Sequence, residues 1–218
     1  MKTMRRRTIS VTLGAILALV VGFGVASAAP AGRTTSNAFW TWDPSGSAGV
    51  STLVRTDVGL SATYKTEGLP PGQAITMWFI VVNNPEACNS SPCSIEDVLF
   101  NEAAQGDFLL GAGKVTGGSG VGNFGGSLKV GDISGSGFPE IGMPERAVGL
   151  LNPRGAEVHL ALHSHGPALS GQTLKSQISS FTGGCAVFLG NQFGIADGPD
   201  AVPSQEGECS TIQASIHR

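Results

Sequence analysis

Three of the chain's four histidines lie in one short stretch, Gly155-Ala156-Glu157-Val158-His159-Leu160-Ala161-Leu162-His163-Ser164-His165-Gly166-Pro167. Its period of two predicts a strand with Val158, Leu160 and Leu162 on one face and Glu157, His159, His163 and His165 on the other. Imidazoles and a carboxylate sharing a face are a ligand set for copper or zinc. Same-face residues two apart are separated by about 6.8 Å at Cα, and residues four apart by about 13–14 Å. His163 and His165 are therefore the pair that one ion could bridge, with Glu157 and His159 a second pair. A full site needs ligands from a neighbouring strand, and His217 is the histidine left to supply one. The alternative is a hydrogen-bonded or solvated face, with His165 shaping the turn at Gly166-Pro167.

No catalytic residue is assigned elsewhere. There is no G-x-S-x-G nucleophile elbow, and the carboxylates are scattered without an acid/base pair. Gly120-Val121-Gly122-Asn123-Phe124-Gly125 matches the G-x-G-x-x-G phosphate-binding pattern. That motif needs a helix to follow it, whereas the residues here read as a strand, so no nucleotide is expected. No cofactor is expected, and copper or zinc on the histidine face is the alternative.

The cysteines point to structure rather than chemistry. Cys88 and Cys93 enclose the turn-forming spacer Asn89-Ser90-Ser91-Pro92, and pairing them leaves Cys185 with Cys209. The spacing is neither C-x-x-C nor a paired zinc-ligand pattern, so two structural disulfides are expected, although four cysteines allow other connectivities.

The elements that must position these residues are mostly strands. Phe39 to Trp42, Ser51 to Asp57 and Val58 to Tyr64 alternate, and Gly68-Leu69-Pro70-Pro71-Gly72 breaks the chain. Ile75 to Val82 is apolar on both faces, which predicts a central strand covered on each side. Phe108 to Val115 and Phe124 to Val130 read as paired strands around a glycine-rich turn, and Gly131 to Met143 as a loop. Gln177 to Phe181 and Ser210 to His217 read as further strands. With 32 glycines, 12 prolines and only 13% charged residues, the composition predicts an all-β fold. The expected form is an antiparallel Greek-key β-sandwich or barrel of about eight to ten strands.

The N-terminus sets the compartment. Lys2, Arg5, Arg6 and Arg7 precede an apolar run from Ile9 to Val25, and Ala26-Ser27-Ala28 supplies the small residues of a cleavage site. The expected division is a signal peptide at 1–28, a flexible lead-in at 29–37 and a single β domain at 38–218. Removing those four of 13 basic residues leaves nine against 16 acidic, a formal charge of −7. The mature chain is thus an exported protein with no basic patch for nucleic acid, and with no membrane insertion once the signal is cleaved.

Gly68-Leu69-Pro70-Pro71-Gly72 before a strand, the later Ala156-Glu157-Val158-His159, and His163-Ser164-His165-Gly166-Pro167 together resemble a group of exported bacterial proteins of uncharacterised function. They are also distantly similar to chordin-type (CHRD) domains and to the copper-zinc superoxide dismutase sandwich. The resemblance implies an antiparallel β-sandwich over most of residues 50–217. In the dismutases the strand after the Gly-Leu turn carries a copper-binding His-x-His, and the matching place here reads Thr76-Met77-Trp78. Fold does not transfer function. The sequence therefore predicts a secreted or envelope-associated, non-enzymatic binding module for an extracellular ligand. The alternative is a copper- or zinc-binding protein with dismutase-like redox activity.

Overall fold

A computed structural model describes residues 32–191 and 193–218. The expected signal peptide lies outside them. Among the described residues nine strands form one sheet: β1 (Gly32–Trp40), β2 (Gly49–Thr56), β3 (Gly59–Thr66), β4 (Gln73–Val82), β5 (Gly106–Val115), β6 (Gly122–Lys129), β7 (Glu157–Pro167), β8 (Val187–Phe188) and β9 (Glu208–His217). Their order is β5-β4-β7-β9-β1-β2-β3-β6, antiparallel throughout, with the two-residue β8 added parallel to β9. The all-β expectation holds, in the form of a nearly closed barrel.

Closure depends on glycine. The edge strands β5 and β6 meet where a Cβ on Gly126 would stand 2.7 Å from the Gly111 carbonyl oxygen, so only bare backbone lets them approach this closely. Lys114 bridges the same seam, donating to the Asn123 carbonyl and lying 4.9 Å over the Phe124 ring. These two strands were expected to pair as a hairpin. Instead β5 pairs with β4 and β6 with β3, and the two strands meet only as the free edges of the sheet, with Phe79, Leu109, Tyr64 and Phe124 packed in the interior beneath.

The strand alternation otherwise sorts side chains as the pattern implies. Ile75, Met77, Phe79 and Val81 of β4 enter the barrel core with Leu53, Leu60, Tyr64, Leu160, Leu162 and Ile212. Trp78 and Val82 face outward into a second apolar cluster with Phe108, Phe138, Val98 and Leu99. The covering layer comes from the long connections. In the first, Ser94 caps α1 (Ile95–Phe100): its hydroxyl accepts from the Asp97 N–H while the Asp97 carboxylate accepts from the Ser94 N–H. The Cys88–Cys93 disulfide closes the loop before it.

Two further expectations are corrected. The composition of residues 29–37 implies a loose lead-in, of which 29–31 lie outside the described residues, whereas from Gly32 onward they belong to β1, which pairs with β2 from Gly32↔Arg55 to Ala38↔Gly49. The β-branched Thr34 and Thr35 suit a strand, and tertiary pairing overrides the small-residue composition. Residues 177–181 are not a strand: α2 (Gly171–Gln177) and a turn stand there. Gln177 explains why, since its amide donates to the carbonyls of His165 and Pro167 and accepts from Leu169 N–H, docking the helix end onto β7.

Candidate functional site

β7 lies between β4 and β9, so both its edges are in ladders. Val158, Leu160 and Leu162 point into the barrel. The histidines and Glu157 point outward, as the alternation predicts, beneath the loop cover.

The five candidate ligands separate into three places. Glu157 and His159 form one pair, with His159 Nε2 2.7 Å from Glu157 Oε1. The same carboxylate accepts from Cys93 N–H at 2.8 Å and meets Arg218 Nε at 3.1 Å. Burial alone would raise the Glu157 pKa, but His159, the Cys93 amide and Arg218 outweigh it and hold the carboxyl below its usual range. This glutamate anchors the Cys88–Cys93 loop to β7.

His217 lies on the opposite face. The β7–β9 register sets Val158 against His217, and directly opposed residues share a face, so His217 points inward with Val158. There its Nδ1 meets Thr34 Oγ1 at 2.9 Å and its Nε2 meets Ser51 Oγ at 2.8 Å.

His163 and His165 are brought together, their ring centroids 4.8 Å apart and nearly perpendicular. Both are wholly buried. His165 Nδ1 donates to the Gly183 carbonyl at 2.8 Å, and its Nε2 meets Thr76 Oγ1 at 2.9 Å. Trp78 Nε1 donates to that same hydroxyl at 2.7 Å, so one threonine fixes both an imidazole and an indole. His163 Nδ1 meets Thr211 Oγ1 at 3.0 Å, while its Nε2 has no hydrogen-bond partner among the described residues. Burial, helped by neighbouring His165, holds the His163 pKa well below the ordinary histidine value. Burial also pushes His165 down to about 4, against the opposing pull of the Gly183 carbonyl. Both rings are therefore neutral at neutral pH.

What the sequence did not reveal is the company these rings keep. The disulfide pairs Cys185 with Cys209, as expected. It lies against the histidines, with Sγ of Cys185 3.6 Å and Sγ of Cys209 3.9 Å from His165 Nδ1. One ring nitrogen of each imidazole and the two sulfurs all lie within 4.8 Å of one another.

Beside this cluster is an apolar cavity of about 260 Å³ on the outer face of the barrel. Trp78 and Ile80 of β4, Ala161 of β7 and Thr211 of β9 form its floor, and Phe181, Phe188 and Phe193 come from the cover. Phe181 joins the two sites, stacking on His163 at 4.6 Å between centroids and meeting Trp78 edge-on at 5.3 Å. A sequence signal for this cover existed: three phenylalanines in a glycine-rich connection need burial somewhere. Comparison of the chain with protein-family models, with curated proteins and with solved structures finds no match.

Proposed function

We propose that this is an exported, disulfide-stabilised binding module that holds a compact apolar molecule against the outer face of β4, β7 and β9. The cavity carries the reading. Protein interiors are normally packed to crystal-like density, yet here five aromatic rings surround a space larger than the roughly 150 Å³ cavity that accepts a benzene ring. Among the described residues Thr211 is the single polar one in the lining, and its hydroxyl already meets His163. The occupant is therefore an apolar ring system or short acyl chain, bound by contact rather than by charge. Preorganisation supports affinity: Trp78 is locked by its bond to Thr76, and the floor belongs to paired strands.

The test is binding of an apolar fluorescent probe, N-phenyl-1-naphthylamine, to the purified protein. Saturable uptake of about one probe per chain is expected, with quenching of tryptophan fluorescence. Ala161→Phe places a ring in the cavity from its floor and should weaken binding at least tenfold while keeping the parent's circular dichroism. Equal binding by this folded variant, or uptake that never saturates, would overturn the proposal.

A further inference from the structure

The Cys185–Cys209 disulfide lies against His163 and His165. We propose that when Cys185 and Cys209 are reduced, their sulfurs and the imidazoles of His163 and His165 hold one zinc ion, and that closing the disulfide expels it. This site adjoins the apolar cavity through Phe181 and Thr211, but none of its four donors lines that cavity and it does not depend on that reading.

The donor set is two sulfurs and two imidazole nitrogens, the composition of a tetrahedral zinc site. With zinc–sulfur and zinc–nitrogen bonds of about 2.3 and 2.0–2.1 Å, the nitrogen–sulfur edge of such a tetrahedron is about 3.6 Å. His165 Nδ1 stands 3.6 and 3.9 Å from the two sulfurs already. A second observation points to a ligand independently: His163 is fully buried and its Nε2 has no hydrogen-bond partner among the described residues. A buried nitrogen left unsatisfied is destabilising, and a metal lone-pair bond removes the deficit.

The surroundings accommodate the change. For His165 Nδ1 to ligate, its proton must move to Nε2, where Thr76 Oγ1 stands 2.9 Å away. That hydroxyl then accepts from both Trp78 and His165 and directs its own proton toward the His163 carbonyl, 3.4 Å off. Thr76 then takes the place of the outer hydrogen-bond acceptor that fixes the tautomer and orientation of a ligating histidine.

The chemistry balances with a dithiol reductant. Its thiolate attacks Sγ of Cys185, the partly exposed partner, and releases Cys209 as thiolate. Its second thiol displaces Cys185, leaving the reductant as a cyclic disulfide and the chain with two thiols. Zinc binds both as thiolates and releases two protons. A disulfide oxidant runs the reverse, accepting two electrons from the thiolates and two protons from solvent to become two thiols while the Cys185–Cys209 bond re-forms and zinc departs.

The experiment uses the full mature chain, oxidised and phosphine-reduced, titrated with Zn²⁺ and, for its spectrum, with Co²⁺. The reduced chain should take up about one ion and show thiolate-to-cobalt charge transfer, and the oxidised chain neither. The double variant Cys88→Ser, Cys93→Ser should bind like the parent. His163→Ala and His165→Ala should each weaken zinc by more than about 100-fold. If reduction unfolds the chain, zinc should restore its circular dichroism. No ion bound after reduction, no refolding with zinc, or unchanged affinity in either histidine variant would overturn the proposal. Apolar-probe binding, measured in the same samples, fails or survives separately.

Discussion

Lowering the pH from 7 to 5 should weaken the fold through His217. This imidazole is 1% exposed, lies inside the barrel between Thr34 and Ser51, and has the Arg55 guanidinium beside it, whose Nη2 donates to the His217 carbonyl at 3.2 Å. Burial first, then Arg55 and His159, depress its pKa to about 4, against about 6.5 in an unfolded chain. The unfolded state therefore takes up the proton first as the solution is acidified. The stabilisation from keeping this ring neutral is fully present above pH 6.5, falls as the pH drops toward 4, and is gone below that. At pH 5 the ring is protonated in the unfolded chain and still neutral in the folded one, a difference worth about 2 kcal/mol at 1.36 kcal/mol per unit. Urea unfolding of the parent and of His217→Gln, each at pH 7 and pH 5, isolates that share, because every other group titrates in both proteins. The parent should lose about 2 kcal/mol more than the variant over this interval. Equal losses would mean that His217 titrates normally in the barrel, and the burial argument would be refuted.

Other outcomes follow from the same packing. Phe79 is fully buried in the barrel core, so Phe79→Ala should cost roughly 3–5 kcal/mol in chemical denaturation; a loss below about 1 kcal/mol would contradict its central position. Gly126→Ala sets a methyl 2.7 Å from the Gly111 carbonyl, and a loss of about 1–3 kcal/mol is expected in the same assay. Reducing Cys185–Cys209, which spans 24 residues, should cost roughly 3–4 kcal/mol in the absence of zinc, and the short Cys88–Cys93 loop nearer 2 kcal/mol on the chain-entropy model. Expressed in a secreting host, the chain is expected to be recovered beginning at Ala29 and with no titratable thiol, checked by intact mass and thiol labelling; retention of residues 1–28 would overturn the reading of that segment as a cleaved signal.

The face of each side chain was legible from alternation, and its neighbours were not. Period two in Glu157 to His165 places His163 and His165 together outward, and it places Trp78 and Phe79 on opposite faces of β4. Parity within a strand says nothing about the partner strand's register. His217 needed the Val158↔His217 alignment to reveal that it faces the core. For the same reason β5 and β6 look like a hairpin by proximity, though each finds another partner. The cluster of His163, His165, Cys185 and Cys209 assembles from β7, β9 and a loop, so no local pattern could announce it. The aromatic cover was hidden by composition, because glycines and serines around Phe181, Phe188 and Phe193 mask residues whose burial is settled by tertiary contact alone.

The glycine seam bears on how copies of this molecule behave toward one another. A sheet with free edges offers unpaired amides and carbonyls to any passing strand, the usual origin of edge-to-edge aggregation. Here the two free edges are turned on each other, Gly111 against Gly126, with Lys114 laid across the gap. No ladder joins β5 to β6 among the described residues, so the seam can part without breaking one. A substitution that wedges it open would expose two sticky borders at once, and its first symptom would be self-association of protein whose core is still intact.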